Sequence, residues 1–192
     1  MATIVLYHHV LGLTTGVRAL ADALRAGGHT VHTPDLFDGA IFGSIEEGIA
    51  FVRAHGEDSL TAAGLAALPT GPAGAAGCVV AGISFGAAVA AAAARRDDVL
   101  AVLSYESFVD PKWIGGWPRP VPLQIHAMAH DPFFVEDEPS ARAWLAGHPE
   151  AELFSYPGDR HLFTDSSTPG YDAAATTVVV ERSLAFVEQV TR

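Results

Sequence analysis

The stretch Gly77-Cys78-Val79-Val80-Ala81-Gly82-Ile83-Ser84-Phe85-Gly86, followed by an almost pure alanine run over 87–94, decides the fold. Residues 77–81 are short, apolar and rich in β-branched side chains, the pattern of a buried strand. The alanine run has the strongest intrinsic helix propensity available. Between them stands G-x-S-x-G, the strand-to-helix corner known as a nucleophile elbow. Such a turn is too tight for side chains beside the serine, so glycine fits at 82 and 86 where a Cβ would strike the neighbouring strand or helix. Ser84 then stands above the sheet. A helix starting at Phe85 aims free backbone N–H groups at the same point.

Outward from this corner, strand and helix patterns alternate. Further strands are expected over 3–7, 29–33, 99–105, 121–128 and 152–156. Thr14 or Thr15 can cap a helix carrying Val17, Leu20, Ala21 and Leu24 at helical spacing, closed by Gly27-Gly28. Ser44 can cap a second through Ile45, Ile49 and Val52, and further helices are expected over 59–68, 139–146 and 171–190. Pro139 is expected in a first turn, where its missing N–H is harmless. The Pro/Gly/Ala segment 69–77 and the Trp/Gly/Pro segment 112–120 read as loops. The fold class is α/β: one domain over 1–192, with a mostly parallel sheet of about six strands covered by helices on both faces. Ligands of such sheets bind beyond the C-terminal ends of the strands.

Composition bounds the function. A chain of 192 residues, 49% of them hydrophobic, builds one sizeable core. The net charge of −11 argues against nucleic acid and anionic membrane surfaces as partners, and against a strongly anionic substrate. The single cysteine, Cys78, allows no internal disulfide and reads as a small buried hydrophobe. The first residues read as a strand rather than a leader peptide, and no apolar run is long enough to span a bilayer, so a cytoplasmic protein is expected. No H-E-x-x-H is present, and His8-His9 would point to opposite sides if extended, so no metal site is expected. Neither G-x-x-x-x-G-K-[ST] nor G-x-G-x-x-G occurs, and no cofactor is expected.

A serine hydroxyl needs a base to take its proton, and the base needs an orienting acid. On sheets of this kind the chain order is serine, acid, histidine. Ser84, Asp131 and His161 satisfy it, the acid and the base each following a strand. Glu106, at another strand end, is the second candidate acid. His126 within its strand and His130 just after it read as structural or pocket-lining histidines, and Asp159, too close to His161 to orient it, as a turn residue. An oxyanion hole needs two backbone donors: the amide of Phe85, and one from the loop after the first strand, for which Val10 is chosen. His8 and His9 can line the site from that loop. Phe37, Phe85, Trp113, Trp117, Phe133 and Phe134 are candidate walls. The substrate-binding set is His9, Phe37, Trp113 and Phe134.

These residues resemble the dienelactone hydrolase family of α/β-hydrolases. The likeness covers nearly the whole chain. It is carried by Pro34-Asp35-Leu36, Gly82 to Gly86, His126-Ala127-Met128-Ala129-His130-Asp131, Tyr156-Pro157-Gly158 leading to His161-Leu162-Phe163, and Tyr171-Asp172 with Glu181-Arg182 and Phe186. The resemblance implies a triad of Ser84, Asp131 and His161 and an oxyanion hole from the Val10 and Phe85 amides. It also implies a first strand equivalent to the family's third, with no antiparallel front hairpin. The namesake enzymes carry cysteine at the elbow, an arginine four residues after the histidine and a glutamate in the oxyanion loop. Here these positions are Ser84, Asp165 and His9, and an aspartate at 165 would repel a substrate carboxylate. The expected function is hydrolysis of a small ester or lactone through an acyl-enzyme, without cofactor. A thioesterase or acyltransferase with the same triad, or a ligand-binding protein on the same fold, is the alternative.

Overall fold

The computed structural model describes residues 1–70 and 77–192. The middle of the connector expected over 69–77 lies outside them. Among the described residues six strands alternate with helices: β1 Thr3–Tyr7, α1 Thr15–Ala26, β2 Thr30–His32, α2 Ile45–His55, α3 Glu57–Ala66, β3 Cys78–Ile83, α4 Phe85–Ala93, β4 Val99–Tyr105, β5 Leu123–Met128, α5 Phe134–Leu145, β6 Ala151–Tyr156 and α6 Ala173–Val190. A 3-10 turn, Pro111–Ile114, interrupts the loop before β5. No helix of the described residues is long and apolar enough to cross a membrane.

The strands form one sheet in the order β2-β1-β3-β4-β5-β6, and every pairing is parallel. The chain first steps from β1 to β2 on one side, then returns past β1 to β3 and continues the other way. Right-handed crossovers in opposite directions put their helices on opposite faces. Accordingly α1 meets α6 on one face, and α3 meets α4 on the other. β3, in the interior of the sheet, is buried at every position. Its last residues pair with both neighbours, Gly82 with Tyr7 and Ser104, so the elbow opens between two strand ends.

The local signals explain most boundaries. Thr14 caps α1, its hydroxyl accepting from Val17 N–H, and Ser44 caps α2 by accepting from Glu47 N–H. α4 is buried at Gly86, Ala87, Val89, Ala90, Ala91 and Ala93, so its alanines let the helix lie close to the sheet. A Cβ on Gly82 would stand 2.0 Å from the Gly86 carbonyl oxygen, and one on Gly86 would stand 2.4 Å from that of Tyr7. Both glycines are therefore demanded by packing.

Among the helices the largest departure from expectation is at α5. α5 begins at Phe134, not at 139, and Pro139 sits inside it. The start is set by Asp131, whose Oδ1 accepts from the amides of Phe133 and Phe134 at 2.9 and 3.4 Å. That anchor outweighs the donor Pro139 lacks. α3 likewise begins at Glu57, two residues early, because Gly56 with φ of 82° both ends α2 and starts α3.

Candidate active site

Ser84 follows β3 with φ of 49° and ψ of −113°, a backbone conformation that costs an L residue about 1–3 kcal/mol. The ladder of β3 and β4 continues into it, Ser84 N–H donating to the Tyr105 carbonyl at 2.9 Å. Asp131 lies three residues beyond β5, completely buried. His161 comes from the loop after β6. Its Nδ1 is 2.8 Å from Asp131 Oδ2, and its Nε2 is 2.9 Å from Ser84 Oγ. With Asp131 ionised, Nδ1 donates, which leaves Nε2 as the lone-pair nitrogen facing the serine hydroxyl. The Phe133 ring packs on His161 with centroids 4.3 Å apart.

The three residues singled out from chain order are thus brought into one hydrogen-bonded row. Glu106 is not in it. Its Oε1 accepts from both the amide and the hydroxyl of Thr164 at 2.8 Å, and His161 Nδ1 is already engaged by Asp131. His126 is structural: its Nε2–H donates to Gln124 Oε1 and its Nδ1 accepts from the Tyr156 hydroxyl, both at 2.8 Å. Burial lowers its pKa to about 3, and the imidazole stays neutral. His130 is exposed, and only its backbone is tied down, to Gly158.

The amides of Phe85 and Val10, the expected oxyanion donors, bond no acceptor among the described residues. The loop carrying Val10 is fixed on both flanks. His8, fully buried, donates from Nδ1 to the His9 carbonyl at 2.8 Å and accepts at Nε2 from Leu36 N–H at 3.0 Å. Burial pushes its pKa down to about 4. His9 accepts at Nδ1 from Leu11 N–H and donates from Nε2 to Asp165 Oδ2 at 2.7 Å.

A groove of about 260 Å³ lies over Ser84 and His161, with Phe85, Ala88, Val109 and Phe133 as its apolar lining. All four members of the expected substrate-binding set lie elsewhere. His9 is spent on Asp165 and Leu11. Phe37 is buried behind Phe85 among His8, Phe42 and Phe51. Phe134 faces the core because it begins α5, which leaves Phe133, its 44% exposed neighbour, on the groove. Trp113 is two-thirds exposed on the 3-10 turn beneath Lys112. Trp117, another candidate wall, donates its indole N–H to the Ala91 carbonyl, at the far end of α4.

The groove also carries Glu57, Glu106, Glu136 and Asp137, which the sequence reading did not single out as lining residues. Glu136 and Asp137 were hidden by the late start assigned to α5. Burial raises the pKa of Glu106, against the pull of His161 and of its bonds to Thr164. Burial also raises that of Asp137, although Phe108 N–H and Ser107 Oγ both donate to it. No cluster of three or more His, Cys, Asp or Glu among the described residues is arranged to hold a metal ion.

The family model of the dienelactone hydrolase family matches residues 1–191. The chain belongs to the dienelactone hydrolase family. Solved structures share the fold at low identity. A dienelactone hydrolase-like promiscuous phosphotriesterase from metagenomic libraries is 19% identical, with a TM-score of 0.76 over 99% of this chain and 87% of its own. The dienelactone hydrolase of Anabaena variabilis is 19% identical, with a TM-score of 0.68 over 98% and 86%. A metagenome-derived lipolytic enzyme is 17% identical, with a TM-score of 0.67 over 98% and 94%. No curated protein sequence matches the chain.

Family membership makes this chain a hydrolase of the esterase kind. Within this dienelactone hydrolase family member, the two non-nucleophile departures noted in the sequence are one feature: His9 and Asp165 bond each other. Asp165 is fully buried and also accepts from Thr14 Oγ1, Ser167 N–H and Ser167 Oγ. Burial alone would raise its pKa, but the bonds from His9, Ser167 and Thr14 outweigh it and hold the carboxyl at about 2. The expectation that Asp165 faces a substrate carboxylate is corrected: the charge is sealed in, bracketing the loop after β1 against the loop after β6.

Proposed function

We propose that this protein is a serine esterase that cleaves a small carboxylic ester or lactone through an acyl-enzyme. The row Asp131–His161–Ser84 carries the reading. Ser84 Oγ attacks the carbonyl carbon while its proton passes to His161 Nε2. Asp131 holds the imidazole and stabilises its cation. The Val10 and Phe85 amides receive the oxyanion, a contribution of about 3 kcal/mol per donor. As the C–O bond breaks, Nε2–H returns the proton to the leaving alkoxide. His161 then takes a proton from water, whose oxygen attacks the acyl carbon, and Ser84 leaves reprotonated with the carboxylic acid released. Serine suits this scheme because the base lies at hydrogen-bond distance, so no pre-ionised nucleophile is required.

The test is labelling with a fluorophosphonate followed by mass mapping, on the wild type and on Ser84→Ala. A stoichiometric adduct on Ser84, with labelling and ester turnover both lost in a folded Ser84→Ala, is expected. Turnover retained by that variant would sink the mechanism.

A further inference from the structure

The groove over Ser84 carries four carboxyl groups, and no lysine or arginine among the described residues lines it. Three lie at helix starts: Glu57 opens α3, and Glu136 and Asp137 belong to the first turn of α5. Acidic residues there are favoured by the helix dipole alone. Glu106 has no such explanation. It directly follows β4 at a left-handed φ of 65° and is completely buried. Thr164 holds its Oε1 twice, while its Oε2 is buried with no hydrogen-bond partner among the described residues. A buried carboxyl oxygen left without a donor, on the lining of the groove, needs a counterpart.

The proposed mechanism fixes which half of the substrate meets these groups. The leaving oxygen must take its proton from His161 Nε2, so the alcohol half lies on the His161 side. Phe133 covers His161 there, and the first turn of α5 follows directly. The groove lined by Phe133, Glu57, Glu106 and Glu136 would offer an ammonium group in that half an aromatic face and carboxyl groups. An anionic group there would face the carboxylates of Glu57 and Glu136.

We propose that the preferred substrates are esters whose alcohol half carries a positive charge, a protonated or quaternary ammonium. The proposal rests on the reading of Ser84 as nucleophile. Its test uses two methylphosphonothiolates that differ only in leaving group, thiocholine or its uncharged isostere 3,3-dimethylbutanethiol. Each probe forms an O–P bond to Ser84 and breaks its P–S bond, and the serine proton leaves through His161 with the thiol. Inactivation by the thiocholine probe is expected to be about tenfold faster at low ionic strength. That ratio should shrink severalfold in 0.5 M sodium chloride and in Glu57→Gln/Glu136→Gln. Equal rates, or a faster uncharged probe, with the adduct mapped to Ser84 would overturn the cationic preference and leave the esterase reading standing. No adduct on Ser84 from either probe in the folded protein would overturn the esterase reading, and this proposal with it.

Discussion

His9 and Asp165 hold the backbone of the loop that carries Val10, an oxyanion donor of the proposed mechanism. With Nδ1 accepting from Leu11 N–H and Nε2 donating to Asp165, the imidazole fixes the segment on either side of Val10. Asp165→Asn keeps the shape but removes the charge that gathers His9, Thr14 and Ser167. A stability loss of about 2 kcal/mol in urea titration is expected, because buried donors are left poorly paired. Turnover of 4-nitrophenyl acetate should lose kcat more than it raises KM, since an oxyanion donor matters most in the transition state. An unchanged kcat would show that the bracket serves stability alone. Ser84, Asp131 and His161 were legible in the sequence because each carries a local mark: a glycine-flanked corner, or a place just past a strand in the required order. His9 has no such mark. Its partner lies 156 residues away, and nothing in a loop histidine tells whether it faces a cavity or a buried carboxylate.

At the scale of elements, α5 shows how tertiary anchoring overrides a local signal. Pro139 has no N–H to return to the Val135 carbonyl, yet the helix runs through it, because Asp131 fixes the start at Phe134. The proline is exposed and is not among the residues that line the groove. Pro139→Ala should therefore stabilise the protein by about 1–2 kcal/mol, less than the full helix-interior penalty because proline also restricts the unfolded chain. Thermal unfolding would read this as a higher Tm, with esterase activity unchanged; a lower Tm would mean that the proline relieves a constraint elsewhere in α5. The strands were read closely from sequence because their apolar, β-branched runs are short and bounded by turn residues. The error at α5 came from placing proline by its commonest position in a helix. It also concealed the first turn, which supplies Glu136 and Asp137 to the groove.

At the scale of the molecule, buried neutral histidines set the acid limit. His126 is held at about 3 and His8 at about 4 by burial, whereas both take up protons near 6.5 when unfolded. Between these values the unfolded chain binds more protons than the folded one, so stability is lost as pH falls from about 6.5. Asp165, held at about 2, adds a loss below the ordinary carboxylate range, while the raised Glu106 and Asp137 work in the opposite direction. Substituting one histidine separates these contributions. The destabilisation caused by His126→Gln should be about 2–3 kcal/mol smaller at pH 4.5 than at pH 7.5, because the variant no longer carries the proton-binding difference. Urea midpoints at the two pH values measure it, and a penalty independent of pH would contradict the buried neutral state. The order of the strands has one more consequence, for synthesis. Ser84 precedes His161 by 77 residues, and the clasp on the loop after β1 arrives only with residue 165. On the ribosome the strained serine therefore emerges before the histidine that serves as its base in the proposed mechanism. The nascent polypeptide cannot assemble the hydrogen-bonded row before residue 161 has been added.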